Sequence, residues 1–229
     1  FHIAATRSRE VLEKLIGPEF AGYLNLDYFS ANCSFAWNFW IKAQYCWAHL
    51  IRDIRFLATH PDRQTQLWAE QLLERARRLF AAWHRRHERS APGLLRSMRL
   101  QRDRFLQVVR QPPPTPEAQT LAARFAVVPY TTPESSVPEL YDRSQDYFRF
   151  MFTQGVEPTN NHSEQQIRHC VIDRRITQGT RGVAGQRYHE RMWTAIATCK
   201  KQQRNFFSFL HEALKAKADN RPAPSLLRS

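Results

Sequence analysis

The chain has 229 residues, 42% of them hydrophobic, with 34 Lys and Arg against 21 Asp and Glu, a formal net charge of +13 and a pI near 10.2. That apolar share excludes a disordered polypeptide, and the length suffices for a sizeable core, as one large domain or one domain with an insertion. A cationic excess of this size points to a polyanionic partner, most commonly nucleic acid, with a merely solubilising basic surface as the alternative.

Four cysteines, at positions 33, 46, 170 and 199, are too scattered for a disulfide framework in a chain of this length, which suits a reducing, cytoplasmic setting. No run of eighteen apolar residues is present and the N-terminus does not read as a signal peptide, so no membrane association is expected. The first residue is Phe1, which reads as a chain cut from something longer.

Phe1 to Thr6 is short, apolar and followed by a basic turn, a pattern that suits a buried strand. Ser8 to Ile16 reads as an amphipathic helix with Ser8 as its N-cap and Val11, Leu12, Leu15 and Ile16 on one face, ended by Gly17-Pro18. Tyr23 to Leu26 predicts a second strand that terminates in Asp27. A carboxylate at the C-terminal edge of a strand stands where open sheets gather ligands; the plain alternative is a turn aspartate. Ile41 to Tyr45 predicts a third strand, leading into Cys46-Trp47-Ala48-His49. A Cys-x-x-His spacing suggests zinc, but structural zinc takes four ligands and no second pair with finger spacing follows.

From His49 to about Arg110 the pattern is helical and basic. Leu67, Leu72, Leu73, Leu79, Phe80 and Trp83 form an expected packing stripe, and Arg75, Arg77, Arg78, Arg85 and Arg86 an expected solvated or phosphate-facing one. Pro112-Pro113-Pro114 is a stiff break. A short helix from about Glu117 to Phe125 follows, then a loop, then an amphipathic helix within Pro138–Thr153 carrying Leu140, Tyr147, Phe148 and Met151. Gln186 to Lys201 reads as a helix with Tyr188, Met192, Ile196 and Cys199 at helical spacing, a last helix begins near Asn205, and Arg221 to Ser229 reads as a frayed tail.

The densest chemistry lies between Gly155 and Gly185. Glu157-Pro158 forces an extended approach, because a residue before proline avoids the helical region. Thr159, Asn160 and Asn161 are all suitable N-caps for a helix from about Asn161 to Cys170. On that helix Asn161, Glu164 and Arg168 are three and four apart and share a face, so an amide, a carboxylate and a guanidinium face one way. Asn161-x-x-Glu164 also has nearly the spacing of a capping box, a purely structural alternative.

The run Glu157-Pro158-Thr159-Asn160-Asn161, then Ser163 and Glu164, then Arg174-Arg175 and a glycine-containing turn from Gly179 to Gly185, resembles the insertion-sequence-66 type of bacterial DDE transposases. Their third catalytic carboxylate sits in a motif close to Glu-Pro-Thr-Asn-Asn-x-Ala-Glu-Arg. Here Ser163 stands in place of the alanine and Gln165 in place of the arginine, which removes a cation beside the carboxylate. Asp27-Tyr28-Phe29-Ser30 occupies the place of the family's second catalytic aspartate, without its usual glycine, and Cys46-Trp47-Ala48-His49 is a family landmark near the active site.

The resemblance implies an α/β fold, mostly helical overall: an incomplete RNase H-like core with a large helical insertion and C-terminal helices. It divides the chain into a partial core at 1–50, the insertion at 51–153, a returning core segment at 154–204, and a C-terminal helix and tail at 205–229. It implies Asp27 and Glu164, 137 positions apart, as catalytic carboxylates that hold Mg2+ or Mn2+ for DNA cleavage and strand transfer. DNA, as transposon ends and target, is the expected partner, and a homo-oligomer the active form. From residue type, Asn160, Asn161, Arg168, Arg174 and Arg175 are expected to meet water or phosphates, and His49 to support the active site or else fill the core. The family's first aspartate belongs to a strand upstream of Phe1, so the chain by itself is expected to be catalytically incomplete. The alternative is a non-catalytic basic protein that binds nucleic acid through its phosphates.

Overall fold

The computed structural model describes residues 1–4, 6–17, 19–88, 90–131 and 138–227. They fall into two compact units, one formed by Ser8–Asn160 and one by Phe1–Arg7 with Asn161–Ser229. Helix predominates, and the strands form two small two-stranded sheets.

The larger unit opens with α1 (Arg9–Ile16), stopped by Gly17 at φ 82°, a left-handed conformation that glycine adopts without steric cost. Next come β1 (Tyr23–Leu26), α2 (Ser30–Asn38), β2 (Lys42–Tyr45) and α3 (Trp47–Leu57). β1 and β2 pair in parallel from Tyr23↔Lys42 to Leu26↔Tyr45, and α2 lies in the crossover that such a pair requires. The long helices α4 (Arg63–His84) and α5 (Ala91–Val109) pack on each other, and α4 also packs on α3. Asp62 starts α4 by accepting the Thr65 amide at 2.8 Å. Then come α6 (Pro116–Ala123), β3 (Val127–Tyr130), β4 (Glu139–Asp142) and α7 (Gln145–Phe148), which runs into a 3-10 turn, Arg149–Met151.

Trp47 is the centre of this unit's core. Its fully buried indole meets Phe80, Phe105 and Phe148 edge to face, with centroids 5.2–5.5 Å apart, and donates to the Tyr147 carbonyl. Buried Gln44 ties the same region together, donating to the Tyr147 carbonyl at 3.1 Å and accepting the Phe150 amide at 2.9 Å. Arg149 donates to the Ala43 carbonyl at 2.8 Å, so the outer edge of β2 is covered by the α7 segment instead of by another strand.

Two expectations fail in this unit. Leu67 lies outside the packing stripe, 41% exposed, while Trp68 and Ala69 take the inward positions beside Leu72 and Leu79. The single helix expected within 138–153 is instead β4, α7 and the 3-10 turn, and Leu140 is 77% exposed. β4 exists because β3 offers it an antiparallel partner, from Val127↔Asp142 to Tyr130↔Glu139, a pairing that helical periodicity does not reveal.

The smaller unit contains α8 (Asn161–Thr177), α9 (Val183–Lys201) and α10 (Phe206–Ala218). The strand expected over Phe1 to Thr6 is absent: Phe1–Ala4 is irregular and carries no strand pairing, and Ala5 lies outside the described residues. Side chains of α9 take its backbone donors instead, the Phe1 amino group reaching Thr194 Oγ1 at 3.0 Å and the Ile3 amide reaching Glu190 Oε1 at 2.7 Å. α8 runs seven residues beyond the expected end at Cys170, so Arg174 and Arg175 fall in its last turn, where cations complement the helix dipole. Gln178 and Gly179, both at positive φ, then break the helix.

Candidate functional site

β1 ends at Leu26, whose carbonyl accepts the Cys46 amide at 2.8 Å and so extends the parallel ladder one step past β2. Asp27 follows directly, at the C-terminal edge of the pair. Its Oδ1 accepts the side-chain amide of Asn32 from the first turn of α2, which fixes the carboxylate at the strand's end. Neighbouring Cys33 is half-buried, and burial pushes its thiol up, with the Asp27 carboxylate adding to the effect, so the sulfur stays protonated.

A second segment is fastened over the same edge. Asn25 Nδ2 donates to the Glu157 carbonyl at 2.7 Å, and the Pro158 carbonyl accepts the Trp47 amide at 2.9 Å, in the first turn of α3. The Asn160 amide lies 3.4 Å from Cys46 Sγ, a long N–H···S hydrogen bond. Glu157-Pro158-Thr159-Asn160 is therefore tied to both strand ends as a segment without helix or strand, with a bend at Pro158. Buried Cys46 serves here as an acceptor for backbone. Among the described residues, no group of three or more His, Cys, Asp or Glu is placed to hold a metal ion.

Two side-chain oxygens at this edge, Asn25 Oδ1 and Asn160 Oδ1, are buried without a hydrogen-bond partner. A buried amide oxygen without a donor is costly, and polar groups left so are characteristic of places that receive a ligand or an ion. His49 is half-buried on the first turn of α3, two residues past Trp47.

The remaining expected site residues belong to the smaller unit. Asn161 and Glu164 occupy the first turn of α8, with Glu164 half-buried; Arg168, Arg174 and Arg175 are exposed along the same helix. Their spacing puts Asn161, Glu164 and Arg168 on one face. Asn160 closes the larger unit and Asn161 opens the smaller, so the two asparagines of the motif divide between them. Asn25 and Asn32 were not foreseen as parts of this region, and Cys46 was foreseen only within the Cys46–His49 run, without its contact to Asn160. The Cys46–Asn160 contact spans 114 positions and the Asn25–Glu157 one spans 132, and neither leaves a local trace in the sequence.

The cationic excess is concentrated in the smaller unit. Phe1–Arg7 and Asn161–Ser229 carry 14 Lys and Arg against 5 Asp and Glu, a net of +9 out of the chain's +13. No helix among the described residues is long and apolar enough to cross a membrane.

Searches of curated proteins and of solved structures return no match. A family model described as Transposase IS66 family matches residues 1–188, the segment that carries Asp27, the Cys46–His49 run and the whole of α8. By that match, over well more than half its length, the chain belongs to the IS66 family of transposases.

Proposed function

We propose that Asp27 and Glu164 are two carboxylates of a metal-dependent site that cuts and rejoins DNA strands, within an RNase H-like arrangement of which β1 and β2 are part. The observation that carries this reading is the fastening of Glu157–Asn160 over the strand edge that ends in Asp27. Glu164 follows Asn160 by four residues, in the first turn of α8.

The donors fit a hard divalent cation: carboxylate oxygens from Asp27 and Glu164, with the orphaned amide oxygens of Asn25 and Asn160 at the strand edge, all oxygen, as magnesium or manganese takes. Such ions, when bound, activate a water or 3′-hydroxyl and stabilise the leaving oxygen of a phosphodiester. The chain's own residues hold the site in shape. Asn32 holds the Asp27 carboxylate, and the Cys46 and Trp47 contacts hold the Pro158–Asn160 segment; His49, on the first turn of α3, is the supporting residue in this reading. Asn160, Asn161, Arg168, Arg174 and Arg175 bind the phosphate backbone, positioning it without reading sequence. The protein acts in the cytoplasm, as an oligomer on transposon ends and target.

Divalent-metal binding tests this directly. Titration of the chain with Mn2+, followed by the loss of the free-ion paramagnetic resonance signal, should show binding that Asp27→Ala and Glu164→Ala each weaken at least tenfold. Equal Mn2+ affinity in both variants and in the parent would overturn the metal site and leave a basic DNA-binding protein in its place.

A further inference from the structure

On the far side of α2 from its first turn, the larger unit carries an open cleft of about 530 Å3 lined by Trp37, Asn38, Trp40, Pro129, Tyr130 and Pro138 among others. The volume is in the range of small-ligand sites. Its rings form one connected set. Trp40 meets Tyr130 edge to face at 4.0 Å, Trp37 meets Tyr130 at 5.8 Å, and Trp37 lies 5.7 Å from Trp40. Tyr141 backs the set, 5.6 Å from both Trp37 and Tyr130. These aromatic residues are half-buried, so each keeps part of its surface open to solvent.

Trp40 is also held at φ 55°, in the left-handed region that bulky residues avoid, at the corner between α2 and β2. Backbone strain of this kind clusters at ligand-binding sites, and here it falls on a half-buried tryptophan that lines the cleft. The Arg143 guanidinium lies 5.2 Å from the Trp37 ring centre, which puts a cation at the aromatic set.

We propose that this cleft takes an unpaired base of the DNA, stacked on Trp37, Trp40 and Tyr130, with Arg143 neutralising a flanking phosphate and the exposed Asn38 amide within the cleft available to the base edge. Stacking on aromatic rings beside cations is how single-stranded nucleic acid is bound, and a base paired within a duplex cannot enter such a cleft. An aromatic groove also fits a polyproline helix, but that ligand makes no use of a cation. The inference rests on DNA being the partner, as proposed above, and concerns a surface separate from the carboxylate site.

The test uses 2-aminopurine oligonucleotides with the intact chain. One carries the probe in a single-stranded overhang, one carries it within a blunt duplex of the same sequence, and decaproline serves as a competitor. The overhang should bind about tenfold more tightly than the blunt duplex, with quenching of the unpaired probe. Trp40→Gly removes the ring while relieving the positive φ, so it should keep its circular dichroism and lose that preference; Asn38→Ala, on the exposed rim, provides a second variant that leaves the ring set intact and should reduce it. Equal binding of overhang and blunt duplex, unaffected by Trp40→Gly, would overturn the base cleft while leaving the DNA reading intact. No binding of either DNA at low salt would overturn both. Displacement of the overhang by decaproline would reassign the cleft to a peptide.

Discussion

Asn32 holds Asp27 with one hydrogen bond across five residues, and Asp146 is held by two, from Tyr141 Oη at 2.7 Å and Arg149 Nη2 at 2.8 Å, yet the two carboxylates stand in opposite settings. Asp27 lies at a strand edge, half-buried; Asp146 is the one charged residue buried among the described residues of the larger unit. Burial pushes the Asp146 carboxyl above the usual carboxylate range, against the opposing pull of Tyr141 and Arg149. A carboxyl raised in the folded state binds its proton more tightly there than in the unfolded chain. Its contribution to stability is therefore complete below the ordinary carboxylate pKa and is lost as pH rises through the raised value. Asp146→Asn keeps an oxygen acceptor and removes the titration. Across that window the parent should lose stability with rising pH relative to the variant, as read from urea midpoints at a series of pH values. Parallel pH profiles for the two proteins would contradict this account of Asp146.

At the scale of elements, local chemistry decides which helices end where the sequence says. Asn205 starts α10 by accepting the Ser208 amide at 3.0 Å, and α10 buries only Ala216, so little tertiary packing supports it. Loss of such a cap costs about 1 kcal/mol. In Asn205→Ala the amides of Phe206–Ala218 should exchange with solvent about fivefold faster, and in Asn205→Asp they should stay near the parent rate. Exchange unchanged in Asn205→Ala would mean that packing, not the cap, holds α10. The same division between local and distant causes explains what was legible. β1 was readable to the residue, and β2 nearly so, because short stretches with apolar residues at alternate positions are bounded there, β1 by Asp27. The long helices were readable from their 3.6-residue period. Phe1–Ala4 was misread because an apolar run looks alike whether it pairs with a strand or is lashed to α9 through Thr194 and Glu190. β3 and β4 were missed because each is four residues long and one contains Pro129, which argues against a strand away from an edge. Of the candidate site, Asp27 at a strand's end, Glu164 in a helix's first turn and the Cys46–His49 run were visible; Asn25, Asn32 and the Cys46–Asn160 contact were not, since they depend on partners that only the fold supplies.

Over the whole molecule the charge divides unevenly, with most of the cationic excess in the smaller unit. The smaller unit's net +9 comes with only 5 acidic residues, whereas in the larger unit 20 Lys and Arg face 16 Asp and Glu. On α4 the basic run is partly neutralised in place: Glu74 accepts from Arg78 Nε at 2.8 Å and from Arg77 Nη1 at 3.3 Å. Exposed pairs of this kind add little stability but lower the local potential that attracts a polyanion. Arg174 and Arg175, exposed at the end of α8, belong to the unit with the larger excess. If they contact phosphates, each releases counterions on binding, and the logarithm of the affinity falls with the logarithm of salt by about 0.9 per contact. Replacing both with alanine should therefore make that slope shallower by about 2, whereas replacing Arg77 and Arg78 should leave it unchanged. Duplex binding measured by anisotropy across a salt series reads both variants. A slope that changes for the α4 pair and not for the α8 pair would move the phosphate track to the larger unit and take Arg174 and Arg175 out of it.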